Sequence, residues 1–137
     1  KRGCSIMEGK FKIEIIVPEN IVFSNETEMV ILPSYEGDMG ILKNHIPIIT
    51  FLRPGVIKVK KIDENYENFF VEDGIVEFYN NNLSVLSSKA INTKNLSKDY
   101  LENLNKLTQE KIRLNSLTDE DRYKLNHKLD IIKSLSL

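Results

Sequence analysis

The spacing of apolar residues changes period once along this chain, near Asn92, and that change limits what the chain can fold into. Before it, Phe11, Ile13, Ile15 and Val17 alternate with Lys12, Glu14 and Ile16, the period of two of a strand with one buried face. Short apolar runs follow at Met29–Leu32, Pro47–Leu52, Phe69–Val71, Ile75–Tyr79 and Leu83–Leu86. Between Val56 and Ile62, Val56, Lys58, Lys60 and Ile62 share one face, with Ile57 and Val59 on the other. The gaps carry turn chemistry: Pro18-Glu19-Asn20, Glu36-Gly37-Asp38, Arg53-Pro54-Gly55, Asp63-Glu64-Asn65, Asp73-Gly74 and Asn80-Asn81-Asn82. Gly and Asn tolerate positive φ and Pro pre-sets a turn, so many short strands at this spacing predict an antiparallel sandwich or barrel over residues 11–92.

After Asn92 the period becomes helical. Ser97 is placed to cap a helix carrying Tyr100, Leu101, Leu104, Leu107, Ile112 and Leu114. Asn115-Ser116-Leu117 breaks the pattern, and Thr118 is placed to cap a second helix. Asp119, Glu120 and Asp121 there oppose the positive end of the helix dipole, and Leu125, Leu129, Ile132 and Leu135 recur at helical spacing. Two helices joined this closely predict an antiparallel two-helix hairpin over residues 93–137. Neither stripe can be buried alone, so each has to meet the other helix, the β domain or another subunit. Residues 1–10 form a ragged start in which Met7 reads as an original initiator and Lys1–Ile6 as an expression remnant or processed end.

Composition narrows the function. A chain of 137 residues with 41% hydrophobic content can bury a core. A formal net charge of -1 argues against a nucleic-acid partner, which selects a basic face. No apolar run approaches the roughly 20 residues that span a bilayer, so membrane association is expected only through a partner. The single cysteine, Cys4, has no partner for an internal disulfide, which suits a reducing compartment. The Asn-x-Ser/Thr triplets at Asn25, Asn82 and Asn95 read as chance matches.

Catalytic material is thin. His45 and His127 stand apart, so no clustered metal ligands and no cofactor are expected. Ser34, His45 and Asp38 can be forced into a triad, but no nucleophile elbow supports it. Gly37-Asp38-Met39-Gly40 lacks the Gly-Lys-Ser/Thr and the helix start of a phosphate loop. Glu36 and Asp38 read as solvated acids in a turn, and His45-Ile46-Pro47 as a histidine at the start of a strand.

In order, the same residues resemble a family. Glu36-Gly37-Asp38-Met39-Gly40-Ile41-Leu42-Lys43-Asn44-His45-Ile46-Pro47 is similar to the Gly-acid-x-Gly-Ile turn and His-x-Pro step of F-type ATP synthase epsilon subunits, which are called delta in mitochondria. Leu52-Arg53-Pro54-Gly55 resembles the family's Leu-x-Pro-Gly step. Asp73-Gly74-Ile75-Val76-Glu77-Phe78 and Leu83-Ser84-Val85-Leu86 resemble its Gly-Gly-Ile-x-Glu-Val and Val-x-Val-Leu segments, with Asp73 in place of the first glycine. The resemblance runs from about Phe11 to Leu137.

What it implies is a β-sandwich followed by a helical hairpin, in a non-catalytic rotor subunit of the central stalk of a proton-driven ATP synthase. Its expected partners are the gamma subunit, the c-subunit ring and the alpha/beta catalytic head. Its expected place is peripheral, on the cytoplasmic face of a bacterial inner membrane or the matrix face of the mitochondrial one. By the same resemblance Glu36, Asp38, Met39 and Ile41 would meet the c ring, and Leu42, His45 and Ile46 would meet gamma. Arg122, Lys124 and Lys128, with Lys133 against Asp130 alone, would either meet the beta subunit and inhibit hydrolysis or form a solvated helix face. The nucleotide motif of some bacterial members, Ile/Leu-Asp-x-x-Arg-Ala, is broken by Ser97, Tyr100 and Leu101, so no nucleotide site is expected. The competing readings are a free-standing β-sandwich ligand-binding module and a small hydrolase.

Overall fold

In a computed structural model that describes residues 9–114 and 116–136, strand β1 (Phe11–Val17) buries Phe11, Ile13 and Ile15 and exposes Lys12, as its period of two requires. The described strands continue as β2 (Asn20–Thr27), β3 (Met29–Ser34), β4 (Gly37–Leu42), β5 (Ile48–Leu52), β6 (Gly55–Lys60), β7 (Tyr66–Val71), β8 (Gly74–Tyr79), β9 (Asn82–Leu86) and β10 (Ala90–Asn92). Their turns follow the predicted chemistry. Asn80 and Asn81, at φ 52 and 59, make the two-residue link between β8 and β9, where asparagine tolerates the left-handed region. Gly55 opens β6 because the chain passes Pro33 there, and a Cβ at Gly55 would sit 2.6 Å from the Pro33 Cβ.

The strand order is β10-β7-β6-β3-β5-β8-β9-β1-β2, with β4 on the other side of β3. The β3–β5 link is the single pair Ser34↔Leu52, and there the path folds into two layers, β10-β7-β6-β3-β4 and β5-β8-β9-β1-β2. The pairing is antiparallel except between β1 and β9, which run parallel, a departure from the all-antiparallel expectation. The two inner faces share one core. Val30, Leu32, Ile41, Ile57, Val59, Phe69 and Val71 come from one layer, and Phe11, Ile13, Ile15, Leu52, Val76, Phe78, Leu83 and Val85 from the other. Burying each such side chain stabilises the fold by roughly 1.5–3 kcal/mol. Phe23 of β2 meets Phe69 of β7 across the layers with ring centroids 5.0 Å apart.

A 3₁₀ turn at Thr93–Asn95 leads to helices α1 (Lys98–Ile112) and α2 (Asp119–Leu135). The two caps are as predicted. The Ser97 hydroxyl accepts from the Tyr100 N–H and the Thr118 hydroxyl from the Asp121 N–H, each at 3.0 Å. The helices pack on each other, and α2 also packs on β6. Phe70 is buried but lies outside the core cluster that takes its neighbours Phe69 and Val71. It therefore faces out of the first layer, beside Val56 and Ile91 in the ladder, where the hairpin covers that layer. The α1 stripe differs from expectation. Leu101 and Thr108 are buried, whereas Leu107 and Leu114 are exposed.

Candidate docking surfaces

Three surfaces carry the residues of interest, and each is placed by the ladder. The first is the β3–β4 end. Its turn is Tyr35-Glu36, because Ser34 pairs with Gly37 and the Ser34 hydroxyl donates to the Gly37 carbonyl at 2.6 Å. Asp38 thus lies on a strand rather than in the expected turn. It is exposed and ion-paired to Arg53 at 3.3 Å, and Arg53 also donates to the Ser34 carbonyl. Glu36 is exposed and Met39 half-buried against the core. Ile41 was expected on this surface, but its side chain is 0% exposed and belongs to the core. Alternation explains the correction: Asp38, Gly40 and Leu42 point out where Met39 and Ile41 point in.

The second surface begins at the link from β4 to β5. Leu42 and Ile46 are exposed. His45 is half-buried, with Nδ1 2.7 Å from the Ile46 carbonyl and its ring edge-on to Phe78 at 5.9 Å. Asn44 holds this link in place by exchanging hydrogen bonds with Asn81 of the β8–β9 turn. Beyond it, Ile49 and Phe51 of β5 point out of the second layer and are exposed. Phe51 pairs with Ile75, Ile75 with Leu86, Leu86 with Ile16, and Ile16 with Ile21. The register therefore lays one apolar row across all five strands of that layer, about 19 Å long at ladder spacing. Ile21, Phe51, Ile75 and Leu86 in it are exposed. Sequence reasoning missed this row. The available signal was a run of apolar residues on both parities, as in Ile48-Ile49-Thr50-Phe51-Leu52, Ile75-Val76 and Val85-Leu86, where a strand with one wet face alternates.

The third surface is where α2 meets the sandwich. Arg122 donates to the Ile112 and Leu114 carbonyls at the end of α1. Lys128 is 8% exposed and ion-paired with Glu72, which corrects its expected place on a solvated face. Lys124 keeps an exposed ammonium, 3.7 Å from Glu120 and 5.8 Å from the Tyr35 ring. Its pKa is raised, first by Tyr35 and less by Glu120 and Asp121, against desolvation, so it is a cation at neutral pH. Tyr123 stacks on Tyr35 at 6.0 Å and donates to the Tyr35 carbonyl at 3.3 Å.

The residues that break the nucleotide motif serve the hairpin: Ser97 caps α1, Tyr100 lies under the Lys89 ammonium, and Leu101 is buried. Ser34, Asp38 and His45 each bond to the separate partners given above rather than to one another in the hydrogen bonds described. Among the described residues no group of three or more His, Cys, Asp or Glu could hold a metal ion, and no helix is long and apolar enough to cross a membrane. Cys4 lies outside the described residues.

Residues 10–93 match the ATP synthase delta/epsilon chain β-sandwich domain, and the chain belongs to that family. A protein named ATP synthase epsilon chain from Pelagibacter ubique is 47% identical, aligned over 95% of this chain and 100% of its own length. The ATP synthase epsilon chain of Parvibaculum lavamentivorans is 31% identical over 94% of this chain and 97% of its own. The fold matches a chain of the Euglena gracilis mitochondrial ATP synthase, OSCP/F1/c-ring, with a TM-score of 0.72 at 14% identity, covering 98% of this chain and 84% of that one. It also matches a chain of the Tetrahymena thermophila mitochondrial ATP synthase central stalk and c-ring, with a TM-score of 0.62 at 10% identity, over 92% and 96%.

Proposed function

We propose that this chain is a non-catalytic rotor subunit of the central stalk of a proton-driven ATP synthase, coupling rotation of the c ring to the gamma subunit. The observation that carries the reading is the apolar row Phe51, Ile75, Leu86, Ile16 and Ile21 on the open face of the second layer. Exposed apolar area of this kind marks a docking surface, and a part that transmits torque needs a stiff body with a broad, well-packed interface. Gamma occupies the row and extends over Ile49, Ile46, His45 and Leu42. The c ring lies at the β3–β4 end, against Glu36, Asp38 and Met39, with Ile41 supporting that end from the core. The site is peripheral and membrane contact goes only through the c ring.

A purified gamma subunit tests the row. Phe51→Asp removes an exposed ring, so the free protein keeps its melting temperature within a few degrees while gamma binding falls about tenfold or more. Unchanged affinity removes the assignment. The hairpin reading is subordinate: in the docked state Arg122 and Lys128 are engaged within the chain, so contact of Arg122, Lys124 and Lys128 with the beta subunit requires the hairpin to leave the sheet.

A further inference from the structure

The row of side chains beside the apolar one, on the same face of the second layer, is acidic. In it Ile49 pairs with Glu77, Glu77 with Ser84, Ser84 with Glu14, and Glu14 with Ser24. Glu77 is exposed and Glu14 half-buried, and neither carboxylate has an ion pair or a side-chain hydrogen bond among the described residues. Lys12, a cation on the same face, lies one row further on, between Asn82 and Glu26 in the ladder, and is ion-paired with neither. Glu77 also stands in a shallow recess of about 360 Å³ that it lines together with Pro47, Ile48, Ile49, Phe78 and Tyr79. Ile48 and Phe78 turn toward the core, so the outer walls are Ile49, 68% exposed, and Tyr79, 65% exposed, with Glu77 the one charged group between them.

We propose that the partner seated on this face, gamma in the reading above, places a basic side chain in this recess, and that its chemistry selects arginine. This rests on that docking reading. A guanidinium stacks on the Tyr79 ring while its N–H fork donates to the Glu77 carboxylate, and its stem packs on Ile49. The apolar row supplies area but has no sense of direction. Free carboxylates along one side of it fix which way round gamma lies, because reversed docking would cover Glu77 and Glu14 without a cation.

The experiment measures the affinity of purified gamma for the full chain and for Glu77→Gln, Glu77→Lys, Tyr79→Leu and Phe51→Asp, at low and at high salt. The expected losses at low salt are about fivefold for Glu77→Gln, about twentyfold for Glu77→Lys and about threefold for Tyr79→Leu, with the Glu77 losses shrinking at high salt. The free Glu77→Gln protein keeps its melting temperature, since that carboxylate has no partner within the described chain. If both Glu77 variants bind as the parent does while Phe51→Asp fails, no cation enters the recess and this proposal falls, but the docking row stands. A Glu77→Gln loss that salt leaves untouched also overturns it, since a charge pair at an exposed rim is screened. If Phe51→Asp binds normally while the Glu77 variants lose affinity, the recess holds and the row falls; if every variant binds normally, both fall. Should Glu77→Lys loosen the free protein, Glu77→Gln decides, and parental affinity there overturns the proposal.

Discussion

Lys128 stands at a helix position where the sequence places a solvated cation, yet it is 8% exposed and paired with Glu72 at the end of β7. A buried charge is costly alone, so removing either partner is worse than removing both. Lys128→Ala is expected to lower the unfolding free energy by about 1–3 kcal/mol in urea titration, by leaving Glu72 without its cation. The double change Lys128→Met with Glu72→Leu recovers most of that loss; equal destabilisation of single and double variants means packing alone holds this site. Asp38 is the opposite case. Its carboxylate is well exposed, and its bond to Arg53 is worth about 0–1 kcal/mol. Asp38→Lys therefore leaves the isolated protein folded, and its effect belongs in the assembled enzyme, where coupled ATP synthesis falls. Normal coupling in that variant removes Asp38 from the c-ring contact.

At the scale of elements, caps were readable and faces were not. Thr118 with Asp119, Glu120 and Asp121 announces a helix start, and that start is observed. Thr118→Ala is expected to cost about 1 kcal/mol and to lower the thermal midpoint by a few degrees in circular dichroism, because one first-turn N–H loses its acceptor. No shift means water replaces the cap without loss. The buried face of α1 was misread because leucine was weighted over threonine. The Thr108 hydroxyl donates to the Leu104 carbonyl at 2.7 Å within the helix. Its polar group is thereby satisfied, and the residue is buried while Leu107 and Leu114 face out. Likewise Glu36-Gly37-Asp38 carries turn chemistry, but pairing of Ser34 with Gly37 moves the turn one residue back and makes Asp38 part of β4.

For the whole molecule, the hairpin lies on the outer face of one layer while the apolar row stays open on the other. Release of the hairpin would uncover Phe70 and Ile132 and separate Lys128 from Glu72, so an inhibitory role requires the head to supply comparable contacts. If the hairpin inhibits, removing Thr118–Leu137 raises ATP hydrolysis by the assembled complex without releasing gamma, and reversing Arg122 and Lys124 to Glu does the same in part. Hydrolysis unchanged by both leaves the hairpin as a structural cover.

The sequence by itself determined the number and order of most strands, the change to helix after Asn92, both helix caps and the family, because these depend on local periodicity, turn chemistry and short ordered motifs. Only the tertiary structure decided which faces are covered. Phe69-Phe70-Val71 reads as a short apolar run, but only the ladder and the hairpin show that Phe70 is buried on the opposite side from its neighbours. The apolar row needs the register of five strands, and two of its four pairings, β5 with β8 and the parallel β1 with β9, join segments that no local pattern brings together. Sequence spacing fixes which parity a side chain has along its own strand; what lies against that face is set by the partners the whole fold brings to it.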